Sequence, residues 1–270
     1  MLATPPEAAA PNRPQDAQAV PPAPVLSVVV PVRNEEANIR PLIAEIRAAL
    51  AGIGQADIDY EIVYVDDGST DGTAAQLLAA QAGAVQAGLP GALVLRRHRS
   101  SCGQSAAIVT GVRAARGAWI ATLDGDGQND PADIPALFAR AQAAPDGLLL
   151  VAGHRTRRRD SWTKRHSSRI ANKVRAALLH DATPDTGCGL KVFQRAAFLE
   201  LPCFDHMHRY LPALFIRAGG QVVSVPVNHR PRTRGQSNYG TLDRLWVGLF
   251  DLVGVAWLQR RWKRPQIEQP

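Results

Sequence analysis

The sequence predicts an α/β fold: a mixed, mostly parallel sheet flanked by helices and doubly wound. Two observations carry this expectation. From Val25 onward, short β-branched or aliphatic runs alternate with Ala-rich stretches of helical period, the pattern of βα units on a parallel sheet. Of the 270 residues, 46% are hydrophobic and 20% are charged, enough apolar material for a buried core and unlike a disordered chain. One domain with appendages is the economical count at this length.

The elements follow in order. Residues 1–24 hold Pro5, Pro6, Pro11, Pro14, Pro21, Pro22 and Pro24 with little to bury, and read as a flexible leader outside the fold. Strands are predicted at Val25 to Val30, Tyr60 to Val65, Ala92 to Leu95, Trp119 to Leu123 and Leu148 to Ala152. Helices are predicted between them at Glu35 to Ala51, Thr73 to Ala82, Gly103 to Ala115 and Pro131 to Ala143, each opened by a polar or Pro start signal. Beyond the fifth strand come a Gly-rich turn at Gly187 to Gly189 and a short strand to Phe193. A helix near Tyr210 to Arg217, a strand at Gln221 to Val227 and a final amphipathic helix from Leu242 complete the chain. The expected division is a leader at 1–24, one domain at 25–240 and a basic-ended amphipathic helix at 241–270.

Lys and Arg exceed Asp and Glu, 31 against 24, for a formal charge of +7, which favours anionic partners. The excess is concentrated: between His154 and Arg175 stand nine Lys or Arg and one acid, Asp160. That stretch reads as a phosphate- or membrane-surface-binding segment; a solvated helix face is the plainer alternative. A nucleic-acid patch is disfavoured, because Trp162 is the only interleaved aromatic. The three cysteines, Cys102, Cys188 and Cys203, show neither a disulfide framework nor a zinc spacing. The N-terminus has no secretory apolar region, so a cytoplasmic location is expected. The best apolar run, Leu242 to Leu258, carries Asp243, Arg244 and Asp251 and is not expected to cross a bilayer.

In doubly wound sheets ligands bind beyond the carboxyl ends of the strands, so the residues there are the candidates for chemistry. The second strand runs into Val65-Asp66-Asp67-Gly68-Ser69-Thr70-Asp71-Gly72-Thr73. Adjacent carboxylates before a Gly turn can hydrogen-bond a ribose hydroxyl and a base edge, and can equally form an Asx-turn with a helix cap. The fourth strand runs into Leu123-Asp124-Gly125-Asp126-Gly127-Gln128-Asn129-Asp130-Pro131. Two carboxylates one residue apart can share a hard divalent cation that bridges a diphosphate, with the glycines leaving room for approach. A structural turn can carry the same letters, while a calcium EF-hand is excluded by the missing bidentate Glu.

Together with Pro31-Val32-Arg33-Asn34-Glu35-Glu36 after the first strand, these motifs resemble the family-two glycosyltransferases of the GT-A fold, a Rossmann-like architecture. The resemblance continues through Gly153-His154-Arg155, Ser168-Arg169, Asp185-Thr186-Gly187-Cys188-Gly189-Leu190-Lys191 and Arg232-Thr233-Arg234-Gly235-Gln236-Ser237, and covers about residues 25 to 260. This order is similar to the polyprenyl-phosphate branch, which includes dolichyl-phosphate mannose synthases and bacterial dodecaprenyl-phosphate galacturonate synthases. Gly127 and Asn129 depart from the mannose-synthase pattern, as does Asn238, so mannose and dolichol specificity are not implied.

The resemblance implies inverting transfer of a sugar from a nucleotide diphosphate, with UDP favoured and UDP-galacturonate among the donors, to a polyprenyl phosphate. The lipid-linked sugar would serve cell-envelope or lipopolysaccharide modification. It implies that Pro31, Arg33, Glu35, Asp66 and Asp67 hold the nucleotide. Asp124, Asp126 and Gln128 would surround Mg²⁺ or Mn²⁺. Arg155, Lys164, Ser168 and Arg169 would bind the acceptor phosphate, Asp185 and Lys191 would sit near the sugar and diphosphate, and Arg232 and Ser237 would belong to a closing loop. Acceptor chemistry fits these types, since Arg offers a fork to phosphate oxygens and Ser a further donor.

Alternatives stay open: the same fold acting on a soluble or polysaccharide acceptor, or a non-catalytic nucleotide or nucleic-acid binder. Cys188 reads as a packed residue, and His206 and His208 as structural as readily as functional. The last helix presents Leu245, Trp246, Leu249, Phe250, Val253, Trp257 and Leu258 near one face, followed by Arg260, Arg261, Lys263 and Arg264. This suits a helix lying on an anionic leaflet, with a core helix and charged tail as the alternative. The expected place is the inner face of the cytoplasmic membrane, held peripherally, with a small integral membrane protein as a candidate partner and no nucleic acid.

Overall fold

The computed structural model describes residues 23–51, 59–144, 149–156, 175–231 and 243–261, with the side chains of 243–247 excepted. Seven strands form one sheet: β1 (Leu26–Val32), β2 (Tyr60–Asp66), β3 (Ala92–Arg97), β4 (Trp119–Thr122), β5 (Leu149–Arg155), β6 (Lys191–Gln194) and β7 (Gln221–Val227). Their order across the sheet is β3-β2-β1-β4-β6-β5-β7. Every pairing is parallel except those of β6, which runs antiparallel to both β4 and β5. All seven residues of β1 and of β2 are buried, as expected of strands covered on both faces. Pro226 has no N–H to give, and β7 that carries it stands at the sheet edge.

Helices α1 (Ile39–Leu50), α2 (Thr73–Gln86) and α4 (Ile134–Gln142) cover one face, and α3 (Gln104–Ala114), α5 (Arg195–Leu199), α6 (Leu211–Arg217) and α7 (Asp243–Arg261) the other. Alternate residues of a strand point to opposite faces. Accordingly Val28 and Val30 join Ile39, Leu42 and Phe138, while Val29 and Val63 join Ile108, Val112 and Phe215. Phe193 of β6 stacks on Phe198 at 5.1 Å between centroids and meets Phe215 at 5.8 Å.

The sequence-based elements recur with local differences. The turns at Glu36–Asn38 and Pro131–Asp133 are 3₁₀, so α1 begins four residues and α4 three residues later than their start signals suggested. Asp130 caps the second turn through the Ala132 N–H. Helix α2 continues four residues past Ala82, through Gly83, to Gln86. Helix α5 was not anticipated: five residues are too few for a periodic signal. Leu148, most of the leader and the basic stretch from Arg157 to Val174 lie outside the described residues.

Phe193→Ala would empty the aromatic cluster on the α3–α6 face. Thermal or urea unfolding should show a loss of about 3–5 kcal/mol.

Candidate active site

The strand order sends β1, β2, β4 and β5 toward one edge with their carboxyl ends. Because β6 is reversed, its beginning lies there too: Lys191 is registered opposite Thr122 of β4 and Ala152 of β5. The segment from Asp185 to Leu190 therefore arrives beside Asp124. Thr122 Oγ1 donates to the Gly189 carbonyl at 2.7 Å. A Cβ on Gly189 would stand 2.2 Å from the Asp124 carboxyl carbon, and one on Gly125 2.4 Å from Val32 Cγ1. Both glycines are spacing requirements of this edge rather than turn preferences.

Asp124 is part-buried. Gln104 Nε2, from the first residue of α3, donates to its Oδ1 at 2.7 Å. Burial and the neighbouring charge of Asp126 push the Asp124 carboxyl up to about 6, against the opposing pull of Lys191, Arg155 and the Gln104 bond. Asp126 accepts the Gln128 N–H at 3.0 Å, and Gly127 takes φ 74°, which closes this turn. Arg230 N–H donates to the Gln128 carbonyl at 2.9 Å, fastening the segment after β7 to the carboxylate loop. Asp124 and Asp126, with Gln128 beside them, form a hard-oxygen set in which the Asp126 charge helps to raise the Asp124 pKa. Such a set fits Mg²⁺ or Mn²⁺.

Lys191 is 3% exposed. Its Nζ donates to the carbonyls of Cys188 and, at 3.3 Å, Thr186. Burial lowers its pKa, while Cys188, Asp124 and Asp185 hold its charge. Arg155 makes a two-pronged pair with Asp185, Nε to Oδ2 at 2.6 Å and Nη2 to Oδ1 at 2.7 Å, which raises the Arg155 pKa further. Arg175 reaches Thr186 Oγ1 and the Thr183 carbonyl and fixes the same segment from behind. Cys188 is buried, and its thiol is pushed up chiefly by that burial. It packs 2.9 Å from where a Cβ on Gly153 would lie, which agrees with the packed-residue reading.

At the end of β2 the two acids diverge. Asp66 Oδ1 accepts the Ser69 N–H at 2.9 Å, and its other oxygen lies 3.1 Å from Arg97 Nε. Asp67 accepts four donors from one loop: Cys102 N at 2.7 Å, Gly103 N at 2.9 Å, Ser101 Oγ at 2.8 Å and His98 Nδ1 at 2.7 Å. These bonds outweigh burial and lower its pKa. The carboxylate that sequence reading assigned to the nucleotide thus anchors the loop between β3 and α3. Asp67, His98 and Cys102 also bring three ligand atoms within 4.8 Å of one another. The His98 ring, however, is already spanned by Asp67 and Thr110 Oγ1, and a thiol suits neither Mg²⁺ nor Mn²⁺.

The end of β1 completes the edge. Pro31 is buried, Arg33 is exposed, and Glu35 is buried with Oε2 accepting from Asn38 Nδ2 at 2.6 Å. Asn34, at φ 55°, ties this loop to the next: its Oδ1 accepts the Thr70 N–H and its N–H donates to Ser69 Oγ. The structure thus gathers Pro31, Arg33, Glu35, Asp66, Asp67, Asp124, Asp126, Gln128, Arg155, Asp185 and Lys191 along one edge. Lys164, Ser168, Arg169, Arg232 and Ser237 lie outside the described residues. Gln104, Ser105, His208 and Arg209 were not picked out as site residues by sequence; only their position at the start of a predicted helix or between elements pointed at them.

The family profile described as Glycosyl transferase family 2 matches residues 27–201. The chain belongs to that family. Among curated relatives of this glycosyltransferase, the dodecaprenyl-phosphate galacturonate synthase of Rhizobium johnstonii is 33% identical over 89% of this chain and 69% of its own length. The undecaprenyl-phosphate 4-deoxy-4-formamido-L-arabinose transferase of Aeromonas hydrophila is 33% identical over 85% and 67%. The chain spans about two thirds of the length of these relatives. Among solved structures, glucosyl-3-phosphoglycerate synthase from Mycobacterium tuberculosis with Mg²⁺ and UDP superposes with a TM-score of 0.58 at 18% identity, over 87% of this chain and 79% of that one. The likeness confirms the GT-A type of mixed, mostly parallel sheet.

Asp67→Asn leaves the shape but weakens four charge-assisted acceptor bonds. It should lower stability by about 1.5–3 kcal/mol, with faster amide exchange at 98–103. Because the carboxyl is lowered in the folded state, its contribution is present above the ordinary carboxylate range. That contribution fades as pH falls through the lowered value, so wild type and variant should converge in acid.

Proposed function

We propose that this glycosyltransferase moves a sugar, with inversion, from a nucleotide diphosphate, UDP in the favoured case, to a polyprenyl phosphate at a membrane surface. The observation that carries the proposal is the convergence of the Asp124–Asp126 pair with Arg155, Asp185 and Lys191 on one sheet edge. The relatives' named acceptors, dodecaprenyl and undecaprenyl phosphate, support it. UDP is favoured because the structural neighbour binds it.

The chemistry follows from charge. A lipid phosphate is an anionic nucleophile near neutral pH, so its oxygen attacks the anomeric carbon without needing a base. The new C–O bond forms as the bond to the diphosphate breaks, and the nucleotide leaves with the electron pair. What the protein must supply is positioning of two anions and cations for the departing charge. Lys191 sits beside Asp124 as a fixed positive charge, and Arg155, oriented by Asp185, presents a rigid fork. Bound at Asp124, Asp126 and Gln128, Mg²⁺ or Mn²⁺ would neutralise the leaving diphosphate. Pro31, Arg33, Glu35 and Asp66 line the part of the edge left for the nucleoside, with Asp67 shaping it through the 98–103 loop. Lys164, Ser168 and Arg169 are assigned to the acceptor phosphate, and Arg232 and Ser237 to a loop over the donor.

Helix α7 provides the membrane side. Val255 and Ala256 are buried on its inner face, whereas Leu249, Phe250, Val253 and Trp257 are exposed, Phe250 by 74%. Arg261 lies 5.7 Å over the Trp257 ring, next to Arg260. Exposed apolar residues spaced by three and four positions, with a basic end, match an interfacial helix on anionic lipid. No helix among the described residues is long and apolar enough to cross a membrane. The proposed location is peripheral, at the inner face of the cytoplasmic membrane, where a small integral protein is a further proposed partner. Products would feed cell-envelope modification.

Two measurements test the proposal. Label from UDP-galacturonate, UDP-glucose or GDP-mannose, offered singly with polyprenyl phosphate and Mg²⁺ or Mn²⁺, should enter an organic-extractable product from one donor. Chelator should abolish it, and Asp126→Ala should reduce it by about 10²-fold or more. A water-soluble glycoside formed without lipid phosphate would overturn the acceptor. Separately, wild type should sediment with phosphatidylglycerol vesicles at low salt, and the double variant Phe250→Glu, Trp257→Glu should stay in the supernatant. Equal partitioning of both would remove α7 as the contact.

A further inference from the structure

Between α5 and α6, the turn Met207–Arg209 carries the His208 ring back onto α3. His208 Nδ1 lies 2.7 Å from Ser105 Oγ, and the His208 backbone N–H donates to the same oxygen at 3.3 Å. Ser105 Oγ carries one proton and two lone pairs, so it can accept the backbone proton and give its own to Nδ1. In that arrangement the ring proton stands on Nε2. Among the described residues no hydrogen-bond partner meets Nε2. Instead the ring borders a cavity of about 120 Å³ shared with Gln104, Asp124, Lys191 and Arg209.

The lining of this cavity is selective. Asp124 contributes a carboxylate edge, Oδ1 of which is held by Gln104. Lys191 spends its ammonium on two backbone carbonyls. Ile108 and Leu211 supply apolar wall. A carboxylate acceptor and a neutral N–H donor lining one cavity, with Ile108 and Leu211 as apolar wall, complement a hydroxyl, which both gives and takes a hydrogen bond. Burial, reinforced by Lys191 and Arg209, pushes the His208 pKa down to about 3, so the ring stays neutral at physiological pH.

We propose that His208 is a specificity-determining residue for the donor sugar, its Nε2–H donating to a hydroxyl oxygen of the hexose lodged beside Asp124. The inference rests on the donor being a nucleotide sugar and is independent of a lipid acceptor. Nothing in the sequence spacing separates this histidine from a packed one; the Ser105 contact and the cavity do.

The test is calorimetry of the full chain with Mg²⁺, without acceptor, using UDP, UDP-glucose, UDP-galactose and UDP-galacturonate. Wild type should bind at least one UDP-sugar more tightly than UDP. His208→Ala should weaken that UDP-sugar about tenfold or more while changing UDP by less than about twofold, and His208→Gln, which keeps an N–H donor, should recover part of the loss. Equal weakening of UDP and UDP-sugar, no weakening, or a wild type that gains nothing from any sugar would overturn the assignment. If the variants fail to fold, ¹⁵N spectra of the wild-type imidazole decide: the Nε2-protonated tautomer should be present and should shift with UDP-sugar but not with UDP. A ring protonated on Nδ1, or one that ignores the sugar, refutes it. Sugar-dependent binding together with no lipid product in the transfer assay would instead count against the acceptor alone.

Discussion

In a sheet of parallel strands, the loops that follow strands gather at one edge and the loops that precede them at the other. This protein needs residues of both kinds at one place, and the reversal of β6 between β4 and β5 brings them there. Were β6 parallel, Asp185, Thr186 and Lys191 would enter the sheet at the far edge, some four residues of strand away from Asp124. With β6 reversed, Lys191 faces Thr122 across the ladder and the Gly187–Gly189 turn lies over the Asp124 carboxyl. The close approach of Gly189 to Asp124 and the bond from Thr122 to the Gly189 carbonyl are consequences of that one topological choice.

The same arrangement sets the electrostatics. Burial alone drives Asp124 toward its protonated form and Lys191 toward its neutral form, and each resists the other's neutralisation. Breaking either partner would leave an uncompensated charge, which costs more than the pair gains. Arg155 and Asp185 form a second, directly bonded pair beside the first. The edge is therefore stiff before any ligand arrives, with its cations aimed by carbonyls and carboxylates rather than by flexible stems. Electrostatic catalysis of group transfer depends on this kind of preorganisation.

Much of this was legible in the sequence. The buried runs of β1 and β2 and the acidic ends of β2 and β4 are strong periodic and motif signals, because a strand covered on both faces must be continuously apolar and a ligand edge must be polar. The divergence of Asp66 and Asp67 was not legible. Adjacent letters on a strand point to opposite faces, but which acid meets the 98–103 loop depends on a tertiary neighbour thirty residues away. Nor was the orientation of β6, since four residues carry no mark of direction. Arg155 was read as a phosphate ligand and Asp185 as a sugar contact; the structure pairs them, a long-range bond that spacing cannot encode.

The turn that presents His208 is held on both sides by α7. His206 Nδ1 lies 3.0 Å from Asp251 Oδ2, and Tyr210 hydroxyl donates to the Gly248 carbonyl at 3.0 Å. His206 adopts φ 61°, a conformation that side chains rarely take and that tertiary contacts such as these must sustain. Residues on the outer face of α7, Leu249 and Phe250, are immediate chain neighbours of these anchors. A surface seated against that face therefore bears on the same helix positions that fix the His208 turn. The helix assigned to lipid contact and the cavity assigned to the sugar are then two sides of one packed unit, and a rigid α7 is a requirement for the second as much as for the first.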